Sequence, residues 1–169
     1  MKASLRLAIV SCFLLSTLGP ATASDLSDLR GSWSGRGTLK ESPDGPMRRG
    51  SCRVGIQGSG AGSSVTLSGR CAGPGKAASF GGTIAQRGGS AVSARFSSPG
   101  RPTISYAGTQ SGSTVSMRSS NAVTVDGRTY RLQLWIRSQG ANSFSMTQQA
   151  TEIGTGKRSQ VFNMAFQRK

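Results

Sequence analysis

The chain has 169 residues, with 21 Lys plus Arg against 6 Asp plus Glu and no His, a formal net charge of +15. Without His it holds no Ser-His-Asp or Cys-His nucleophile system and no imidazole for zinc, and its acids, Asp25, Asp28, Glu41, Asp44, Asp126 and Glu152, are too scattered to announce a carboxylate pair or a calcium cage. Hydrophobic residues at 35% and 24 Gly make a thin, glycine-rich composition, suited to one domain of strands and turns rather than helices.

Residues 1–23 read as an export signal. Lys2 and Arg6 precede an apolar run from Leu7 to Leu18, Gly19-Pro20 breaks it, and Ala21-Thr22-Ala23 has the small-x-small form of a signal peptidase site. The run is too short for a stable bilayer anchor and no second candidate follows. Ile9-Val10-Ser11-Cys12 offers an alternative, a lipoprotein box with Cys12 as the lipidated residue. Cleavage after Ala23 leaves a single domain, 24–169, that is still strongly basic and is expected to be periplasmic or secreted.

In this domain short alternating segments are separated by Gly, Ser, Pro, Asn and Asp clusters, and no window carries a helical period. The expected strands are Ser32 to Lys40, Arg49 to Gln57, Ser63 to Ala72, Ser79 to Gln86, Ser90 to Ser97, Pro102 to Gln110, Thr114 to Val125, Arg128 to Arg137, Asn142 to Ala150 and Ser159 to Arg168. Folding the second and third about the Gly58 to Gly62 turn sets Ile56 opposite Leu67, Val54 opposite Gly69 and Cys52 opposite Cys71. In an oxidising compartment this predicts a cross-strand Cys52–Cys71 disulfide; a redox or metal-binding thiol pair would want CxxC spacing and His.

The other hairpins set their own registers. Arg87-Gly88-Gly89 pairs Phe80 with Phe96 and Ile84 with Val92, the loop near Gly112 pairs Tyr106 with Met117, and the Asp126-Gly127 turn pairs Val123 with Tyr130. At the chain end Met146 faces Met164 and Phe144 faces Phe166. The apolar residues of each pair share one face, while the opposite face is almost wholly Ser, Thr and Arg, as in Ser64, Thr66, Ser68 and Arg70. An outer-membrane barrel needs the reverse, an apolar lipid-facing band. The expected fold is therefore all-β, an antiparallel up-and-down meander of about ten strands closing into a barrel, with a sandwich as the alternative. Gly69, Gly82, Gly108, Ser119, Asn121 and Gln148 fall at inward positions and leave either a cavity or a tightly flattened core.

Asp25 to Arg30 forms a short helical lead-in, Gly31-Ser32-Trp33 opens the first strand as G-x-W, and Arg168 lies on the last strand. This arrangement resembles the calycins, the superfamily of lipocalins, fatty-acid-binding proteins and avidins. The resemblance implies that Trp33 plugs one barrel end beneath Arg168 in a cation–π contact. Cys52-Arg53-Val54-Gly55-Ile56 with Leu67-Ser68-Gly69-Arg70-Cys71 also resembles the disulfide hairpin of small periplasmic metalloprotease inhibitors, over residues 29–72. It implies an alternative function, protease inhibition through the N-terminal segment Ser24 to Leu29. Through Trp33 to Gly37, Cys52 to Val54 and Met164 to Arg168 the chain is similar to short exported alphaproteobacterial proteins, a resemblance that implies export and fold and supplies no chemistry.

The remaining functional signal is basic surface. With Tyr130, Leu132, Leu134 and Ile136 inward, Arg131, Trp135 and Arg137 point outward, and the Asp126-Gly127 register sets Trp135 opposite Arg118. Arg118, Arg131, Trp135 and Arg137 form the candidate ligand-binding patch, suited to stacking on a sugar, aromatic ligand or base while guanidinium groups hold phosphate or carboxylate. A second basic cluster, Met47-Arg48-Arg49, sits in the Pro43 to Gly50 loop. Dispersed charge, few outward aromatics and export argue against a nucleic-acid partner. The expected function is non-enzymatic binding in the cell envelope, with an anionic polymer such as lipopolysaccharide or acidic polysaccharide, or a small apolar ligand, as partner. No catalytic residue, metal ligand or cofactor is expected.

Overall fold

The period-2 alternation with turn residues at every break produces an almost purely β structure. The computed structural model describes residues 26–59 and 63–169. The export signal, Cys12 and the Ser24-Asp25 part of the N-terminal segment lie outside these residues. A single turn of 3-10 helix, Leu26–Leu29, leads into β1 (Gly31–Leu39), followed by β2 (Arg48–Ser59), β3 (Ser64–Gly73), β4 (Lys76–Gln86), β5 (Ala91–Ser97) and β6 (Ile104–Ser111). Then come β7 (Thr114–Ser119), β8 (Val123–Val125), β9 (Arg128–Ser138), β10 (Ser143–Glu152) and β11 (Arg158–Arg168). Neighbours pair antiparallel in chain order, β11 returns to β1, and β9 pairs with β10, so ten strands close into a barrel with the short β8 hanging from β9.

The disulfide hairpin and the last hairpin have the expected registers. Cys52 pairs with Cys71 and the two form a disulfide, Ile56 pairs with Leu67, Met146 with Met164 and Phe144 with Phe166. The Asp126-Gly127 turn also pairs Val123 with Tyr130 as expected, whereas two other hairpins differ by two residues. Ile84 faces Ala94 and Gly82 faces Phe96, because the loop closed by Arg87 N–H to Ala91 O and Ala91 N–H to Gly88 O is centred on Gly89, one residue later than the expected Arg87-Gly88-Gly89 turn. Tyr106 faces Ser119, and Gly108 faces Met117.

The expected strand Thr114 to Val125 is two strands. Ser120, Asn121 and Ala122 leave the ladder after Ser119, whose buried hydroxyl accepts from Leu132 N–H, and the chain rejoins β9 at Val123 opposite Tyr130. The interruption offsets β7 against β9 by two, so Trp135 pairs with Ser116 and Arg118 pairs with Gln133, not with Trp135. Asn121 is exposed, with its carbonyl accepting from Ser105 N–H, and does not point inward. Arg48 and Arg49 belong to the start of β2 rather than to the loop before it.

A slip of two residues leaves every side chain on its own face, and the core therefore gathers where alternation places it. Trp33, Val65, Leu67, Ile84, Met117, Ile136, Phe144, Met164 and Phe166 are at most 2% exposed. Two of the inward glycines are covered by rings from the neighbouring strand: a side chain at Gly69 would collide with the Phe80 ring, and one at Gly82 with the Phe96 ring. Glycine there lets an aromatic lie flat against the wall of the barrel.

The two ends of the barrel differ. At one, the 3-10 turn folds Leu26 and Leu29 into the core, Trp33 Nε1–H donates to Leu29 O at 2.8 Å, and Trp33 meets Phe144 edge-on at 4.8 Å. Arg168 lies over the Trp33 ring at 4.4 Å from its centroid and donates to Asp28 O, Arg30 O and Ala141 O. Gly31 has φ +131°, and a side chain there would strike the Arg168 guanidinium, so the glycine of G-x-W is what lets the arginine close over the tryptophan. The other end is open.

Candidate functional site

The open end gives onto a cavity of about 1050 Å³, at the upper limit of ordinary small-molecule pockets. It runs from the loops after β1, β3 and β5 down to the middle of the barrel. Phe80, Phe96, Ile104, Leu132, Leu134 and Met146 supply apolar wall. The lower half is filled by the Trp33, Phe144 and Phe166 cluster, where Phe144 stacks on Phe166 at 4.5 Å. The small inward residues thus have two fates. Glycines under rings tighten the wall, and the space remains in the half of the barrel toward the mouth.

Inside the cavity the polar groups are few and neutral. Tyr106, 3% exposed on β6, accepts from Gln148 Nε2 at 2.7 Å across the barrel from β10. Burial pushes the Tyr106 phenol well above its ordinary range, with the Gln148 hydrogen bond opposing part of that shift, so it is a neutral hydroxyl at physiological pH. With Nε2 given to the phenol oxygen, the Gln148 amide oxygen stays an acceptor and the Tyr106 O–H a donor at the level of Leu134, which pairs with Gln148 across β9 and β10.

The mouth is charged. Lys40, Arg48, Lys76 and Arg101 lie on its lining with a single acid among them, Glu41. Lys76 and Glu41 pair at 2.7 Å with both side chains more than half exposed, so solvent screens the contact. Lys40 Nζ donates to Ser159 Oγ at 2.8 Å and Pro43 O at 3.2 Å, and Ser159 Oγ donates to Pro43 O at 2.7 Å. The Ser159 proton is directed at a carbonyl while the lysine donates to the same oxygen. That is the arrangement of a loop brace, not of a nucleophile whose base takes its proton.

The β1–β2 loop is held beside the mouth at a second point. Asp44 accepts from Tyr130 O–H at 2.7 Å, Arg128 at 3.0 Å and Lys157 at 3.2 Å, which ties the loop to β9 and to the turn before β11. The Tyr130 hydrogen bond first, then those of Lys157 and the charge of Arg128, hold the Asp44 carboxyl below the usual carboxylate range. The Tyr130 phenol is raised in return, chiefly by its hydrogen bond to Asp44.

The patch expected from sequence sits on the outer face of the barrel, away from this cavity. Arg118, Arg131 and Arg137 are exposed and Trp135 is half-buried between Ser116 of β7 and Thr147 of β10. Arg118 stands one diagonal step from Trp135, and Arg131 is engaged by Ser119 O and Ser120 O at 3.3 Å each. Of the cavity residues, Gln148 was legible only as an inward polar position, Tyr106 only as an inward partner of Met117, and Arg48 only as part of a basic cluster. Their convergence depends on the closure of β9 on β10. Among the described residues no group of three or more His, Cys, Asp or Glu could hold a metal ion, and no helix is long and apolar enough to cross a membrane.

No protein-family model matches the chain, and no curated protein matches it in sequence. Solved structures do. Rv2717c from M. tuberculosis superposes with a TM-score of 0.68 over 85% of this chain and 94% of its own, at 19% identity. An S-type phycobiliprotein lyase, CPES from Guillardia theta, gives 0.54 over 85% and 89% at 10% identity, and EF1p2_mFAP2b bound to DFHBI gives 0.50 over 85% and 95% at 11% identity. At such identities the likeness is one of architecture, and the protein is a closed antiparallel β-barrel of the kind these structures share.

Proposed function

We propose that this protein is an exported, non-enzymatic binding protein that takes a small ligand into the open half of its barrel. The observation that carries the reading is the one-mouthed cavity of about 1050 Å³ above a fully packed lower half. A barrel whose function lay only on its outer wall has no need of an unfilled interior, since unfilled volume costs stability. EF1p2_mFAP2b, a structure of similar architecture, is bound to DFHBI, which supports a ligand-binding reading. The Cys52–Cys71 disulfide suits an oxidising compartment, in keeping with the leader-like residues 1–23. Absence of His from the whole chain and the brace geometry of Ser159 and Lys40 favour binding over catalysis.

The test uses 1-anilinonaphthalene-8-sulfonate, whose fluorescence rises in an apolar site. Wild-type protein enhances the dye saturably, and Met146→Trp, which narrows the cavity with a larger side chain, weakens the enhancement while the melting transition stays cooperative. Equal enhancement in both proteins, or none in either, overturns the reading. The N-terminal inhibitor alternative is less favoured by the geometry, because Leu26 and Leu29 are buried in the closed end and only residues before them are left to reach a protease.

A further inference from the structure

We infer that the ligand is a single-chain acid, carboxylate or phosphate monoester, bound with its charged group at the mouth cations and carrying a neutral hydrogen-bonding group, a hydroxyl or a carbonyl, that reaches the Tyr106–Gln148 pair. This inference rests on the cavity-binding reading and assigns its polarity.

The charge distribution fixes which way such a molecule lies. Every formally charged side chain on the cavity lining, Lys40, Glu41, Arg48, Lys76 and Arg101, comes from a mouth loop or a strand end beside one. Glu41 is taken up by Lys76, which leaves Lys40, Arg48 and Arg101 as a surplus of positive charge around the opening. Lys40 is held in place by Ser159 and Pro43 and spends two of its three ammonium protons on them, so one remains for a ligand. A carboxylate carried down past this ring would lose its hydration with no cation to meet it, a cost of several kcal/mol. The anion therefore stays at the top and the apolar chain enters below it.

At the level of Leu134 the chain meets the two neutral polar side chains. Gln148 donates one amide proton to the Tyr106 oxygen, and this leaves the amide oxygen to accept and the phenol proton to give. A purely hydrocarbon ligand leaves both unmatched in a desolvated site, whereas a hydroxyl or carbonyl at that depth satisfies at least one of them. A site built this way discriminates more strongly against the analogue lacking the group than an apolar pocket can for a methylene. Strand spacing puts Tyr106 two residues, about 7 Å, below the Ile104 rim, so the second polar group sits within a short chain's length of the acid.

The probes are decanoate, ω-hydroxydecanoate, 6-hydroxydecanoate, decyl phosphate, decylamine and decanol, each measured by displacement of 1-anilinonaphthalene-8-sulfonate. The expected order has decanoate or decyl phosphate at least ten-fold tighter than decylamine and decanol. The ω-hydroxy acid and its 6-hydroxy isomer, whose hydroxyl lies nearer the depth of the pair, about 7 Å, are compared with decanoate: the 6-hydroxy acid is the tighter by about ten-fold, the equivalent of one hydrogen bond. Which acid is the tighter distinguishes a carboxylate ligand from a phosphate one. The Arg48→Gln/Arg101→Gln variant, which leaves Lys40 as the one surplus mouth cation, cuts the acid preference several-fold and keeps the hydroxyl preference. The Tyr106→Phe/Gln148→Leu variant, which replaces both partners together and so leaves no orphan, does the reverse. Dye displacement by decylamine and decanol as strong as by decanoate overturns the assigned polarity while the cavity still binds. Failure of the dye itself to bind overturns the cavity reading instead.

Discussion

Arg168→Met removes the charged cap of the closed end while keeping its hydrocarbon stem. The guanidinium makes three hydrogen bonds to main-chain carbonyls, to Arg30 O at 2.5 Å, Asp28 O at 2.9 Å and Ala141 O at 2.9 Å, and lies 4.4 Å from the Trp33 ring centroid. The residue is exposed, so each hydrogen bond counts near the bottom of its range, about 0.5 kcal/mol, and the cation–π contact about 0.5 kcal/mol more. Together they make the variant less stable by about 2 kcal/mol, or about 6 °C in melting temperature for a domain of this size. The damage is local in origin. The Asp28 and Arg30 carbonyls lose their partner, the 3-10 turn loosens, and the Trp33 indole N–H, held by Leu29 O, exchanges faster with solvent. Thermal unfolding by circular dichroism and indole hydrogen exchange by NMR read the two effects. Lys169→Met is the control, since that residue gives the fold only its backbone N–H to Ser32 O. An Arg168→Met melting temperature equal to that of Lys169→Met, with indole exchange unchanged, would refute the account of the plug.

Further outcomes follow from the same geometry. Replacing Cys52 and Cys71 together by Ala opens a loop of 19 residues' separation and lowers stability by about 3 kcal/mol, read from the urea midpoint and slope together because the freed denatured chain exposes more surface; a loss below a third of that value rejects the loop-entropy account. Asp44 has a lowered pKa in the folded state, so its contribution is complete above the ordinary Asp range and is lost as pH falls through the lowered value; Asp44→Asn flattens this acid limb of the stability profile, and an unchanged limb contradicts the latch. Tyr106 has a raised pKa, so its contribution is complete below the ordinary phenol pKa and declines as pH rises above it. Tyr106→Phe makes the alkaline limb shallower between pH about 10 and 12, measured by chemical denaturation. Charge reversal at Arg118, Arg131 and Arg137 leaves dye binding in the cavity unchanged, and its effect on retention by immobilised heparin or lipopolysaccharide decides whether the outer face also holds an anionic polymer.

Alternation was the most readable property of the chain because it survives errors of register. Setting Ile84 against Val92 instead of Ala94 moves a partner along the strand and leaves both residues inside. The same tolerance hid the mistakes. Val115, Met117, Ser119, Asn121, Val123 and Val125 keep one parity throughout, so nothing in the pattern marks the break after Ser119 that moves Arg118 from Trp135 to Gln133. The disulfide hairpin was legible in detail because Cys52 and Cys71 fix the register covalently, where the glycine-containing turns after β4 and β6 permit more than one placement of the loop.

By itself the sequence determined the all-β class, the inward and outward faces and the disulfide, since each depends on period-2 alternation or on a hairpin between neighbouring strands, whereas the contact of Trp33 with Arg168 was implied by the calycin resemblance and not by the pattern. Where the interior is filled and where it is open was decided only by the tertiary structure. Phe80 and Phe96 lie against glycines on the wall, Phe144 and Phe166 stack across the floor, and the space left over depends on ten strands closing at once. The charge of +15 likewise acquires a place only there: strand ends and loops far apart in the chain bring Lys40, Arg48 and Arg101 to one mouth, because closure of a barrel sets side by side residues that no local pattern relates.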